Sequence, residues 1–350
     1  MKGTLRTTAI LVLLSVASYA QKVDLDRFNF TFSYRNLPNE PLNPEYNTYS
    51  VKVNSSLNIR SQISPDMISI DGWKKVDDNG HVIINFTSDD LIVRGVDIQE
   101  RVEEIKDKDG KVTGRKYYYL AAVDYTWAAE AQVKDYKGAS IGTKSFGANS
   151  PWKSSEYSSR KEASDYYNNN RSGIQANLQK DHINGAVNSI RTWLNNSYGY
   201  VSVKDPDILW ILDSKKHPET PAQHEQWEAF KAAVATVTPE SISDETKEKF
   251  AAAIKYFDEI PARFPDSDKA HKKLRYAAYY NKAKIYIFLD KPAEAIKEAE
   301  ALITNDYDAG DGKRLKTEAE ALANELKKNN ATTRHFPIDL SKAAAPTAGN

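Results

Sequence analysis

Hydrophobic and polar positions alternate along the first part of the chain and change to a three-and-four spacing in the last part. Phe28, Phe30, Phe32 and Tyr34 fall on one face of an extended segment, with Asn29, Thr31 and Ser33 on the other. After a Pro- and Asn-rich connection, residues 36–47, the alternation returns at Tyr49, Val51 and Val53. Short apolar runs at 82–86 and 91–96 are bounded by Asp-Asn-Gly and Ser-Asp-Asp. Asp109-Gly110 lies between apolar runs at 102–105 and 117–122 and predicts a hairpin. Residues 125–133 add another strand before Lys137-Gly138 turns the chain. Short strands at this spacing predict a β-sandwich or a strongly twisted sheet.

The middle differs. Residues 160–169 and 174–194 read as two helices, the second turning Ile174, Leu178, Ile183, Val187, Ile190 and Leu194 inward. Tyr198, Tyr200, Val201 and Val203 suit a strand returning to the sheet, which would make this stretch a small α/β unit. Residues 206–213 are apolar without a decisive period, and 215–221, with two prolines, read as a linker. Beyond them the pattern is helical to about residue 329. Trp227, Phe230 and Val234 share one face, as do Phe250, Ala253, Ile254, Phe257 and Ile260, and later Leu315, Ala319, Leu322 and Leu326. Pro265 ends one helix, and Asp266-Ser267-Asp268 caps the next, residues 270–289. Asp290-Lys291-Pro292 then turns into a helix over 293–303. The predicted class is α+β. A β-rich, sandwich-like half (21–149) and an α/β middle (150–214) precede an all-α helical-hairpin domain (222–329) and a tail (330–350), whose last residues are expected to be disordered.

Small and aromatic residues in the helical part follow a further pattern. Ala253 is followed four residues later by Phe257, and Pro265 ends the helix. Tyr279, Ala283 and Tyr286 supply aromatic, small and aromatic positions in the next helix, with Ala295 and Ala299 in the one after. This resembles tetratricopeptide repeats over about residues 247–306. Ala299 stands where a large aromatic is usual, Lys282 where an apolar core residue is usual, and the closing proline is missing near Tyr307. Only two units are recognisable where about three are needed, so the array should pack on 223–234, 312–328 or the β-rich half. The resemblance implies a module of a kind that binds other proteins and rarely does chemistry. It places Ala277, Tyr280, Lys284 and Ile287 on an inner groove, where Tyr280 would offer contact area with a polar tip and Lys284 would pair with an acidic ligand. The alternative packs Tyr280 inside the module. On the groove reading, Tyr280→Glu weakens partner capture without unfolding the domain.

Residues 1–20 carry an address: Lys2 and Arg6, an apolar run over 9–17, then Ser18-Tyr19-Ala20. The run is too short to span a bilayer, so a cleaved secretory signal is expected, with no integral membrane segment after cleavage. The chain has no cysteine, which removes both a lipid-modified cysteine and disulfides. A bacterial periplasmic location is expected, with an extracellular one open. Basic and acidic residues number 48 each, and without Lys2 and Arg6 the basic count falls to 46. That balance argues against a nucleic-acid partner, which needs a concentrated basic surface.

Candidate chemistry is thin. Gly138-Ala139-Ser140-Ile141-Gly142 matches a hydrolase nucleophile motif, but no buried strand precedes it and no helix follows, so a turn is expected. His224-Glu225-Gln226-Trp227-Glu228 lacks the second histidine of a zinc helix. Residues 305–312 gather oxygen ligands but misplace the glycine and distal glutamate of a calcium loop. His217 and His224 read as exposed linker residues. No catalytic residue, metal ligand or cofactor is expected. The reading is a non-enzymatic, exported adaptor that binds an unidentified protein in a bacterial envelope assembly. Its rivals are a carbohydrate-binding module using Trp73, Trp127 or Trp152, and a serine hydrolase combining Ser140 with Asp213 and His335.

Overall fold

The alternating segments become strands in the computed structural model, which describes residues 22–148 and 151–346. These are β1 (Leu25–Asn36), β2 (Thr48–Val53), β3 (Lys74–Lys75), β4 (Val82–Ser88), β5 (Ile92–Lys106), β6 (Val112–Thr126), β7 (Ala128–Asp135), β8 (Ser140–Gly147), β9 (Trp152–Lys153) and β10 (Val201–Leu212). The helices are α1 (Leu57–Arg60), α2 (Arg160–Tyr198), α3 (Thr220–Val234), α4 (Asp244–Arg263), α5 (Lys269–Phe288), α6 (Pro292–Asn305) and α7 (Ala309–Lys328). A β-rich half is thus followed by a helical region, and the class is α+β. The expected signal segment, 1–20, lies outside the described residues. No helix among the described residues is long and apolar enough to cross a membrane.

Contacts divide the chain into two compact units, each drawn from separated segments. Among the described residues, one holds 22–33 and 204–324; the other holds 34–148, 151–203 and 325–346. The second unit is built on a five-stranded sheet in the order β3-β2-β4-β7-β8. Strand β2 runs parallel to β3 and β4, while β4–β7 and β7–β8 are antiparallel. Alternation puts Val82, Ile84 and Phe86 of β4 on the buried face, with Ile84 opposite Val133 and Phe86 opposite Ala131. Ile183, Ala186, Val187, Ile190 and Leu194 of α2 join the same core, so the layer covering this sheet is a helix. Each of the isoleucine, valine and leucine side chains contributes about 1.5–3 kcal/mol by leaving water.

Helix α2 runs unbroken for 39 residues, where the sequence predicts two helices. The polar stretch around Asn168–Gly173 contains no proline, and its Asn and Gly residues cost at most about 1 kcal/mol each in a helix interior. Burial of the following turns outweighs that. Ser159 caps the start by accepting from the Glu162 N–H at 3.2 Å. At the far end, Trp73 Nε1 donates to the Tyr198 carbonyl at 3.0 Å.

In the first unit, helices α3 to α6 pack successively, and the sequence-predicted faces of α3 and α4 are buried. Asp268 caps α5, accepting from the Ala270 N–H at 2.8 Å. Ala295 and Ala299 are fully buried on α6. A Cβ on Gly312 would lie 2.7 Å from Ile303 Cγ1 and 3.0 Å from the Ala299 carbonyl, so the approach of α7 to α6 requires glycine there. Strand β1 belongs with these helices through residue 33. Phe28 stacks on Trp227 at 5.2 Å, Phe30 meets Phe230 edge-on at 5.6 Å, and Phe32 stacks on Phe288 at 4.5 Å. Strand β10 pairs with β1 and not with the five-stranded sheet. Pro206 is tolerated because a two-stranded sheet has only edge strands.

Two further expectations are corrected. Residues 215–221 are not a free linker: His217 is buried, and its N–H donates to the Ser214 carbonyl at 2.8 Å. Nor are the last residues of the tail, expected to be disordered from Ala343, all loose: Ala343 is buried. Arg35 N–H donates to the Arg334 carbonyl at 3.0 Å, and Lys74 Nζ donates to the Ala343 carbonyl at 2.9 Å. Residues 347–350 lie outside the described residues. In 215–221 the backbone turns on itself while Glu219 accepts from the Tyr256 hydroxyl at 3.0 Å, and in the tail distant partners satisfy the polar groups, of which local composition carries no trace.

Candidate protein-binding surface

The expected groove on α5 is occupied by the chain itself. Ala277, Tyr280, Lys284 and Ile287 are only 1–4% exposed. Tyr280 meets Trp210 of β10 at 6.1 Å between ring centres, and its hydroxyl accepts from Arg314 Nη2 of α7 at 3.2 Å. Lys284 Nζ lies 2.8 Å from Asp207 of β10 and 2.8 Å from Glu318 of α7. Burial pulls the Lys284 ammonium down, but Glu318 and Asp207 outweigh it and hold the group above the usual lysine range. Asn281 grips the strand as it would an extended peptide. The Trp210 N–H donates to Asn281 Oδ1 at 2.8 Å, and Asn281 Nδ2 donates to the Trp210 carbonyl at 2.8 Å. The free groove at these four positions is therefore replaced by a closed one. The acids that close it, Asp207 and Glu318, lie 77 and 34 residues from Lys284 in sequence.

Lys282, which departs from the repeat pattern, is satisfied in the same way. Its Nζ lies 2.5 Å from Asp258 and 2.7 Å from Glu298. Burial again opposes the charge, and these two carboxylates hold the ammonium above its usual range. Two buried lysines, each bridging two acids, thus fix α5 between its neighbours.

The other candidates fall into structural roles. Gly138 adopts φ +89° in the turn between β7 and β8, and Asp135 Oδ1 accepts there from the Lys137 and Ala139 N–H groups. Ser140 opens β8, so a strand follows it and the strand–serine–helix arrangement of a nucleophile elbow is not formed. In 305–312, Asp306 takes φ +53° at the end of α6, Asp308 accepts from the Gly310 N–H at 3.1 Å, and Asp311 accepts from the Tyr276 hydroxyl at 2.6 Å. Among the described residues no group of three or more His, Cys, Asp or Glu is placed to hold a metal. Trp73 and Trp127 are buried and Trp152 is half-buried. His224 Nε2 lies 2.8 Å from the Leu212 carbonyl.

The β5–β6 hairpin is the contrasting surface. Its strands pair from Ile92 opposite Thr126 to Lys106 opposite Val112, around a turn in which Gly110 has φ +80°. At about 3.4 Å per residue each strand is about 50 Å long. Near the base, the Tyr125 hydroxyl meets His182 Nε2 at 2.8 Å, and Arg160 lies 5.8 Å from the Tyr119 ring. Strand β9 and Tyr157 pair with β6 up to Tyr119. Beyond these supports, residues 101–113 are all exposed. Strand β5 forms the outer edge of the sheet order β5-β6-β9.

Six of the nine exposed large hydrophobic residues among the described residues lie on this hairpin: Ile92, Val96, Val102, Ile105, Val112 and Tyr117. Val102 stands opposite Tyr117, at 44% and 45% exposure. Charged groups surround them. Arg101 makes a two-pronged pair with Glu156 at 2.5 and 2.7 Å and lies 4.4 Å from the Tyr118 ring centre. The hydrogen bonds from Arg101 hold the Glu156 carboxyl below the usual range. The alternation that makes these strands is local and visible in sequence. That no described residue packs on their distal apolar side chains is not.

Set against known proteins, the chain matches no protein-family model, and no curated protein matches it. The tetratricopeptide resemblance rests on the helix pattern alone.

Proposed function

We propose that the protein is an exported, non-enzymatic adaptor of a bacterial envelope assembly, and that it engages a partner protein through the distal β5–β6 hairpin. The observation that carries this reading is the gathering of exposed apolar side chains on that one hairpin. Scattered apolar residues on a surface are ordinary; a concentration on one element with an open strand edge is the chemistry of a docking surface. The helical unit, read as tetratricopeptide-like, serves as scaffold, since its inner face already holds β10. Two of the three tryptophans of the carbohydrate-binding reading are in the core, which weakens that rival.

The test places a photo-crosslinking residue at Thr113 on the exposed tip, in the mature protein within its native envelope. One protein should be captured there, and Val102→Ser with Tyr117→Ser should abolish the capture. Equal capture by the double variant removes the hairpin as the interface.

A further inference from the structure

A cleft of about 520 Å³ opens at the ends of α4, α5 and α6, away from the α5 face that holds β10. Its lining includes Lys272, Arg275 and Tyr279 of α5, with Pro261, Pro265 and Ala301 as apolar walls. A second hollow of about 460 Å³ continues it, sharing Ser267 and Lys272 and adding Lys269. Lys269, Lys272, Arg275 and Tyr279 are spaced by three, three and four, so they form one stripe along the helix.

Arg275 is built in rigidly, and no carboxylate accepts a hydrogen bond from it; Asp266 at the rim acts on it only through space. Its Nε donates to Asn305 Oδ1 at 2.9 Å, and its Nη1 donates to the Asp266 carbonyl at 2.7 Å and to the Phe264 carbonyl. Asn305 is itself anchored by donating to the Lys272 carbonyl at 2.8 Å. All three Arg275 acceptors are uncharged, and Nη2 donates to no described residue. Lys272 Nζ is 3.8 Å from Asp306, too far for a hydrogen bond, and that carboxylate is 83% exposed and screened by water. The Tyr279 hydroxyl likewise has no partner among the described residues. The acid at the rim, Asp266, is engaged by the Asp268 N–H at 3.0 Å and by His271 Nδ1 at 2.7 Å.

We infer that this cleft binds a small organic oxyanion, a carboxylate or a phosphate ester, with the anionic group on Arg275 Nη2 and Lys272 Nζ and the Tyr279 hydroxyl as a third donor. A guanidinium already fixed by three acceptors loses little freedom when its remaining edge takes an anion. The proline and alanine walls suit an apolar body attached to that anion. The reading is independent of the hairpin and of the adaptor function.

The experiment uses the full chain with 15N-labelled arginine. The Arg275 Nε–H resonance is followed during titration with succinate or inorganic phosphate, at ionic strength held constant with chloride. A saturable shift is expected, with apparent affinity at least tenfold weaker in Lys272→Glu and reduced in Tyr279→Phe. A response to succinate alone assigns a carboxylate ligand, and a response to phosphate alone assigns a phosphate ester. A shift that chloride reproduces, or that Lys272→Glu leaves unchanged while its thermal transition matches wild type, overturns the site. Should Lys272→Glu unfold, the Tyr279→Phe titration decides: an unchanged affinity there also overturns it.

Discussion

Helix α5 and the β5–β6 hairpin reverse the usual relation between polarity and burial. Twelve of the twenty α5 residues are buried, including Asn281, Lys282 and Lys284. The hairpin leaves Val102, Ile105 and Tyr117 in water. The difference lies in what each element meets. Around α5, four carboxylates and a strand backbone wait at hydrogen-bond distance, so charges can be buried. Along the distal hairpin no described residue packs on the apolar side chains, so they stay exposed. Hydrophobicity predicts burial only when the partners are known.

The sharpest way to break this comparison is Tyr280→Glu. On the groove reading the variant stays folded and loses its partner. The geometry expects instead that a carboxylate is forced into a site 2% exposed. Beside Trp210, and with Asp207 and Glu318 already bound to Lys284, it should cost about 3–5 kcal/mol. Urea denaturation measures it, and a loss below about 1 kcal/mol would reopen the inner face. Lys284→Met should cost slightly less, about 3 kcal/mol, because Glu318 is about one-third exposed and can be rehydrated. Adding Asp207→Asn and Glu318→Gln should restore most of that loss. If it does not, the lysine acts through packing and the ion-pair account of α5 fails.

Much of the fold was legible because it is local. The Asp109-Gly110 turn, the Asp268 cap and the buried stripes of α3, α4 and α7 all follow from residues within a turn or two of each other. What escaped was long-range. Phe28, Phe30 and Phe32 read as a sheet face, and they are one, but their partners are Trp227, Phe230 and Phe288 on helices 199, 200 and 256 residues away. Alternation declares a strand without saying whether a sheet or a helix will cover it, which is why α2, not a second sheet, lies on the five strands. The site failed for the same reason. Their spacing puts Tyr280 and Lys284 on one face of one helix, and nothing near them in sequence announces that β10 and α7 close it.

Acid offers a milder probe of burial. His217 is held below the usual histidine range by desolvation first, with His271 adding to the effect and Glu219 opposing it. Its Nδ1 accepts from the Glu219 N–H at 3.2 Å, a bond that only the unprotonated ring can make. Because the folded pKa is depressed, this contribution to stability is complete above the unfolded value of about 6.5 and is lost as pH falls toward the folded one. The denaturation midpoint should therefore be level between about pH 7 and 8 and decline below about 6.5. His217→Gln should flatten part of that decline. His182 and His81, also depressed by burial, should account for the remainder.

The smallest expected change in stability belongs to the hairpin, and its smallness is the point. Val102 and Tyr117 face each other across β5 and β6 with no described residue covering them, so Val102→Ser with Tyr117→Ser removes a cross-strand pair and no core. Such a pair contributes about 0.2–1 kcal/mol, and exposed substitutions elsewhere usually stay within about 0.5 kcal/mol. A urea midpoint within that range, together with abolished crosslinking at the tip, would separate binding from folding at these residues. A loss above about 1.5 kcal/mol would mean that the pair is structural. The hairpin would then resemble α5 after all, held by contacts that its exposure conceals.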